Sequence, residues 1–153
     1  MARQARTEVR AAARRLADDD RVLALCLGNE IPADVIRWYG ARSVSRLLAG
    51  LAESVRSDDP DCLLSYGNYP TSEYLPLETF DFLTVNVFLE HQKTLRAYLT
   101  RLQHLAGSRP LVIGELGSHA SDGDQGEAAQ ATMLDWQLST ALERGVAGTC
   151  TFS

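Results

Sequence analysis

Short apolar runs alternate with amphipathic stretches of helical period from one end of this 153-residue chain to the other. A run such as Val22-Leu23-Ala24-Leu25-Cys26-Leu27 is too short for a buried helix and suits a buried strand. Strands separated by helical stretches pair in parallel, because the intervening helix supplies the crossover that parallel neighbours need. The chain is therefore expected to be α/β.

The elements can be placed along the sequence. A first helix is expected from Gln4 to Ala17, followed by the strand Val22 to Leu27 and a short stretch from Ile31 to Gly40. Val44, Leu47, Leu48, Leu51 and Val55 recur three or four residues apart, which predicts a helix laying one stripe on a sheet. Asp58-Asp59-Pro60 stops that helix, and Cys62 to Tyr66 reads as the second strand. After a turn-rich segment, Gly67 to Leu77, the run Phe80 to Val87 is the third strand. Leu95, Tyr98, Leu99 and Leu102 mark a helix ending near Gly107, and Leu111 to Ile113 is the fourth strand. A polar loop, Ser118 to Gly126, leads to a long helix with Ala131, Leu134, Leu138 and Leu142. Gly145 is placed as its stop, and Val146 to Phe152 is the last strand.

That inventory is about five strands and four helices, with no internal repeat. A doubly wound sheet of this size usually ends on a covering helix, whereas this pattern ends on a strand. A closed (β/α)8 TIM barrel takes about 250 residues. The pattern instead predicts a partial barrel in one domain, residues 1–153, carrying five of eight strands. Its open edge would expose backbone donors and apolar side chains, so self-association, or pairing with a missing N-terminal half of the barrel, is expected.

Composition narrows the partners. With 45% hydrophobic and 23% charged residues the chain can pack a core, and its net charge of −5 offers no basic stripe for nucleic acid. No apolar stretch approaches the roughly 20 residues that span a bilayer, so no membrane partner is expected. Arg3, Arg6, Arg10, Arg14 and Arg15 give the N-terminus the look of a transit peptide, but Glu8 and Asp18-Asp19-Asp20 favour an amphipathic surface helix. Cys26, Cys62 and Cys150 are an odd count without metal-like spacing. They are expected to be buried thiols of a cytoplasmic protein, and no metal or other cofactor is expected.

The chemistry concentrates at two strand tips. Gly28-Asn29-Glu30 follows the first strand and Gly114-Glu115 the fourth. In parallel α/β sheets the carboxyl ends of the strands form the rim where ligands bind. Two carboxylates on one rim are the equipment for hydrolysing a glycosidic bond. On the residues alone Glu30 also suits a solvated loop and Glu115 a helix cap, so both readings stand at this point.

The order of these motifs resembles a known family. VLALCLGNE, Val22 to Glu30, is similar to strand four of the (β/α)8 glycosidases that carry Asn-Glu at its tip. FLTVNVF, Phe82 to Phe88, is similar to their strand six, LVIGELG, Leu111 to Gly117, to strand seven, and VAGTCTFS, Val146 to Ser153, to strand eight. The match is to the family 2 glycoside hydrolase barrel of β-galactosidase, β-glucuronidase and β-mannosidase type. Similar barrels occur within bacterial glycosyltransferase-related proteins. Two departures are visible: Phe88 stands near a tyrosine of many relatives that hydrogen-bonds the nucleophile, and strands one to three have no counterpart.

The resemblance implies retaining hydrolysis of a β-glycosidic bond, with Glu30 as acid/base and Glu115 as nucleophile. Asn29 would hydrogen-bond the sugar hydroxyl beside the reacting carbon. Further rim candidates for substrate contact are Tyr66, Asn68, Asn86, Trp38 and His119. Each has a plainer reading: Tyr66, Asn68 and Tyr69 suit a turn, Asn86 suits pairing with backbone, and Trp38 suits core packing. Trp136 is expected to pack, His91 and His104 to lie on a helix surface. The rival function is a non-catalytic carbohydrate-binding or scaffolding segment. A nucleotide-binding domain is disfavoured, since no glycine-rich phosphate loop follows the first strand.

Overall fold

A computed structural model describes residues 2–118 and 124–152. The α/β expectation holds: the strands form a five-stranded sheet in chain order, β1-β2-β3-β4-β5. The β1–β2, β3–β4 and β4–β5 pairs are parallel. The chain separates into two compact units, Met1–Asp81 and Phe82–Ser153, each with its own apolar core.

In the first unit, α1 (Ala2–Leu16) is followed by β1 (Leu25–Asn29), α2 (Ala33–Tyr39), α3 (Ala41–Arg56) and β2 (Leu64–Asn68). A single 3-10 turn, Pro70–Ser72, closes the list. The stripe on α3 buries Val44, Leu48, Leu51, Ala52 and Val55 against Ile36, Leu64 and Tyr66. Leu47 lies at the margin of that stripe and is exposed. Asp81 pins the start of β2: Oδ2 accepts from Leu64 N at 2.7 Å, while Arg56 Nη2 reaches the same carboxylate at 3.0 Å.

Helix α1 is docked by charge. Arg10 donates through Nε and Nη2 to the two Asp58 oxygens at 2.7 and 2.8 Å, and Arg14 Nη2 adds a bond of 3.1 Å. The Arg10 guanidinium, and then that of Arg14, hold the Asp58 carboxyl well below the usual carboxylate range. As pH falls, the unfolded chain takes up this proton before the folded one does. The stabilisation is therefore present above the unfolded value near 3.8 and is lost as pH drops through the folded value. Asp58→Asn should lower the urea midpoint at neutral pH and leave it unchanged at the acid end. Parallel acid limbs in the two proteins would contradict this.

In the second unit, β3 (Leu83–Val87), α4 (Gln92–Ala106), β4 (Leu111–Leu116), α5 (Asp124–Glu143) and β5 (Gly148–Thr151) follow in turn. Leu95, Leu99 and Leu102 of α4 are fully buried beside Val85, Val87, Ile113 and Leu116. Helix α5 buries polar groups as well: Gln137 Nε2 donates to Leu89 O at 3.0 Å, and Gln92 Nε2 to Thr140 Oγ1 at 3.3 Å. Trp136 packs on this core as expected. Leu142, placed on the apolar stripe from sequence, is exposed because Ala141 and Thr140 occupy the buried face.

Several expectations are corrected. Five α-helices are found among the described residues where four were expected, since the stretch after β1 is itself helical. That helix, α2, buries only Ile36 at 0% exposure and so shows no periodic stripe. Trp38 does not pack in the core: it lies two residues on, about 200° round the helix from Ile36, and is 84% exposed. The thiols are not buried either, Cys26 and Cys150 being exposed and Cys62 half-buried. Leu25 and Leu27 pack toward the first unit's core, so strand alternation turns Cys26 to the opposite face. No helix among the described residues is long and apolar enough to cross a membrane.

Candidate active site

The first carboxylate stands at the end of β1. Asn29 pairs in register with Gly67 of β2, and the chain then turns sharply at Glu30, whose φ is +46°. A residue with a Cβ in this left-handed region carries about 1–2 kcal/mol of strain. The next elements of the chain hold it there. Glu30 N donates to Gly67 O at 2.8 Å, Ile31 N to the Tyr66 hydroxyl at 2.8 Å, and Ala33 N to the Tyr69 hydroxyl at 3.2 Å. A Cβ at Gly67 would overlap Asn29 Oδ1, so a side chain there would push the Asn29 amide aside. Glu30 is half-buried and Asn29 exposed.

Tyr66 is 1% exposed, its ring lying against Gly28. Burial pushes its phenol up, with Tyr69 and the Glu30 carboxylate adding to the rise and the Ile31 amide opposing it. The hydroxyl therefore stays neutral at working pH and accepts the Ile31 N–H. Asn68 is also buried, and its Oδ1 accepts from Tyr69 N at 2.9 Å and Ser72 Oγ at 2.6 Å. Both side chains, expected to face substrate, are engaged in shaping the β1 and β2 tips.

The second carboxylate, Glu115, lies within β4, which runs three residues beyond the expected end at Ile113. Its register partner on β3 is Asn86, whose Nδ2 donates to Glu115 Oε1 at 2.9 Å. A hydrogen bond to a charged carboxylate stabilises by about 1.5–3 kcal/mol. Asn86 is 2% exposed, so this contact fixes both side chains. Phe88, beyond β3, has no hydroxyl to offer; its ring meets Phe152 edge-on with centroids 6.0 Å apart. The polar partner of Glu115 is thus the strand asparagine. Neither reading made of Asn86 from sequence anticipated it: regular pairing onward from Val85 and Ile113 would set Asn86 opposite Gly114, and a register shift after Val85 brings Glu115 there instead.

Gly114 makes the pairing sterically feasible, because a Cβ there would come within 2.7 Å of both Asn86 Oδ1 and Thr84 Cγ2. Gly114→Ala should therefore displace Asn86 and destabilise the chain by about 1–3 kcal/mol, the usual result of overpacking. Thermal unfolding of the variant measures this, and an unchanged midpoint would show that the two strands have slack.

The remaining candidates are dispersed. Trp38 and Tyr39 are exposed on α2. His91 and His104 lie exposed at the start and in the last turn of α4. His119 lies outside the described residues. Among the described residues no group of three or more His, Cys, Asp or Glu could hold a metal ion.

No protein-family model and no curated protein sequence matches the chain. Solved structures do. Bacteroides uniformis β-glucuronidase 2, covalently bound to cyclophellitol-6-carboxylate aziridine, aligns with 99% of this chain and 21% of its own, at 13% identity and a TM-score of 0.80. The Ruminococcus gnavus β-glucuronidase in complex with D-glucuronic acid aligns over 97% and 29%, at 13% identity and TM-score 0.76. A GH2 β-galacturonidase from Eisenbergiella tayi, bound to galacturonate, aligns over 72% and 23%, at 19% identity and TM-score 0.63. This chain therefore spans under a third of the length of these proteins. At such identities the likeness is one of fold, shared with a part of each of these structures.

Proposed function

We propose that this chain carries the catalytic pair of a retaining glycoside hydrolase acting on a β-glycosidic bond. Glu115 is the nucleophile and Glu30 the general acid/base. The observation that carries the reading is the treatment of the two carboxylates: each stands at a strand tip, and the chain's own groups fix it there. Asn86 grips Glu115, while Gly67 and Tyr66 clamp the backbone at and after Glu30. The fold shared with the uronidases, one of them caught as a covalent adduct, supports the same chemistry.

In that chemistry the carboxylate attacks the anomeric carbon while the acid protonates the departing oxygen. The glycosyl ester is then hydrolysed by water that the former acid deprotonates. The two carboxyls must come to about 5–5.5 Å for this. Asn86, holding one Glu115 oxygen, leaves the other to attack. Asn29, exposed beside Glu30, is assigned the contact with the neighbouring sugar hydroxyl, and exposed Trp38 a stacking contact with the leaving group.

A 2-deoxy-2-fluoro glycoside with a good leaving group tests this, because it forms the ester and hydrolyses it slowly. Mass spectrometry should find one adduct, on the peptide bearing Glu115. Labelling elsewhere would reassign the nucleophile, and failure to label with any common sugar would favour a non-catalytic carbohydrate-binding segment.

A further inference from the structure

We propose that Tyr66 and Tyr69 are positioning residues for Glu30, forming a two-hydroxyl clamp that holds the acid/base in its left-handed backbone conformation. The inference rests on reading Glu30 as the acid/base. Its basis is the chain of anchors after β1. Within four residues, three backbone amides are taken by groups from one short stretch of β2 and the turn beyond it: Gly67 O, the Tyr66 hydroxyl and the Tyr69 hydroxyl.

A hydrogen bond from Glu30 N alone would fix one side of the peptide and leave the chain free to relax beyond it. The Tyr66 hydroxyl removes that freedom, since Ile31 N sits 2.8 Å away on a side chain that is itself immobile, 1% exposed and packed on Gly28. Tyr69 extends the hold to the first residue of α2, so the helix cannot swing and carry Glu30 with it. Tyr69 is in turn fixed through its own amide, which donates to buried Asn68, and Ser72 donates to the same oxygen. The turn residues thus form a relay whose output is the direction of the Glu30 carboxyl. A carboxyl aimed wrongly by about 1 Å loses on the order of 10²-fold in rate.

Two variants test the clamp in the full chain. Tyr66→Phe and Tyr69→Phe each keep the ring and remove only the hydroxyl. The three-bond amide–Hα coupling of Glu30 reports its φ without any substrate. It should shift in Tyr66→Phe as the residue leaves the left-handed region, while far-UV circular dichroism stays as in the parent. On an alkyl glycoside, whose leaving group needs a proton, kcat should fall by about 10²-fold with KM unchanged. On a dinitrophenyl glycoside, whose leaving group needs no proton, kcat/KM should hardly move, since that ratio reports the first half of the reaction alone. Tyr69→Phe should act in the same direction and more weakly, and serves if Tyr66→Phe does not fold. An unchanged coupling together with equal losses on both substrates overturns the inference. If Glu30→Gln itself fails to discriminate between the substrates, the acid/base reading falls, and the coupling alone decides whether the clamp holds Glu30.

Discussion

Glu115→Gln should lower steady-state glycoside hydrolysis by about 10⁴-fold or more, the scale on which loss of a covalent nucleophile acts in other hydrolases. The amide keeps the size and planarity of the carboxylate but has no charge to donate to the anomeric carbon. It should also keep one hydrogen bond to the protein, since the amide oxygen can accept from Asn86 Nδ2 as Oε1 does at 2.9 Å. Folding is therefore expected to survive, with a midpoint close to the parent's. That separation is what gives the experiment its force: activity lost with stability retained locates the defect in the chemistry. Covalent labelling by the fluorosugar should vanish in the same variant. A Glu115→Gln chain that still turns over substrate within tenfold of the parent would remove Glu115 from the mechanism.

Asn86→Ala provides the complement within the same pair. Here the carboxylate remains but loses its donor, so Glu115 can rotate and its charge is less well placed. The effect on rate should be smaller than that of removing the carboxylate, because the nucleophile itself is intact.

Much of the architecture could be read from apolar periodicity, and the exceptions have specific physical causes. The five strands were found because each is a compact apolar run between turn signals, but β1 and β2 were placed too early. Leu23 looked like core and is 82% exposed, while Gly28 and Asn29, placed beyond the strand, belong to β1, where Asn29 pairs with Gly67 after a register shift. Glycine and asparagine disfavour strands in isolation, and here pairing outweighs propensity. Helix α2 was missed because seven residues with one buried side chain carry no measurable period. Helix α5 begins at Asp124, within the expected loop, and its buried face includes Gln137 and Thr140, polar residues that sequence patterns assign to solvent.

The candidate site divides in the same way. The two candidate carboxylates could be placed locally, since Glu30 and Glu115 each follow an apolar run. What holds them could not, because the partners come from residues 29 to 37 positions away: Asn86 for Glu115, Tyr66 and Gly67 for the segment at Glu30. A tyrosine at a strand tip reads equally as a sugar contact or a buried anchor. Only burial decides between them, and it is a property of the packed chain. The expected burial of Cys26 failed for the same reason, as it depends on which face of a strand finds a neighbour.

Glu30→Gln should separate substrates by the acidity of their leaving groups. A glutamine cannot give up a proton, so departure of an alkoxide or a sugar hydroxyl loses the general acid, worth about 10²–10⁴-fold. A dinitrophenolate leaves without help, and its glycosyl transfer to Glu115 should proceed near the parent rate. The second half of the reaction then becomes diagnostic. Water must attack the ester with a base to take its proton, and Glu30→Gln has removed that base as well. The activated substrate should consequently give a burst of dinitrophenol equal to the enzyme present, followed by slow turnover as the covalent adduct accumulates. Mass spectrometry of the stalled chain should show a glycosylated Glu115 with a natural sugar, not only with the fluorinated one. A small anionic nucleophile such as azide needs no base and should restore release, forming a glycosyl azide of the same anomeric configuration as the substrate. Equal losses on both substrates, with no burst, would mean that Glu30 serves structure rather than proton transfer. In that case the strained backbone at +46° would need another explanation.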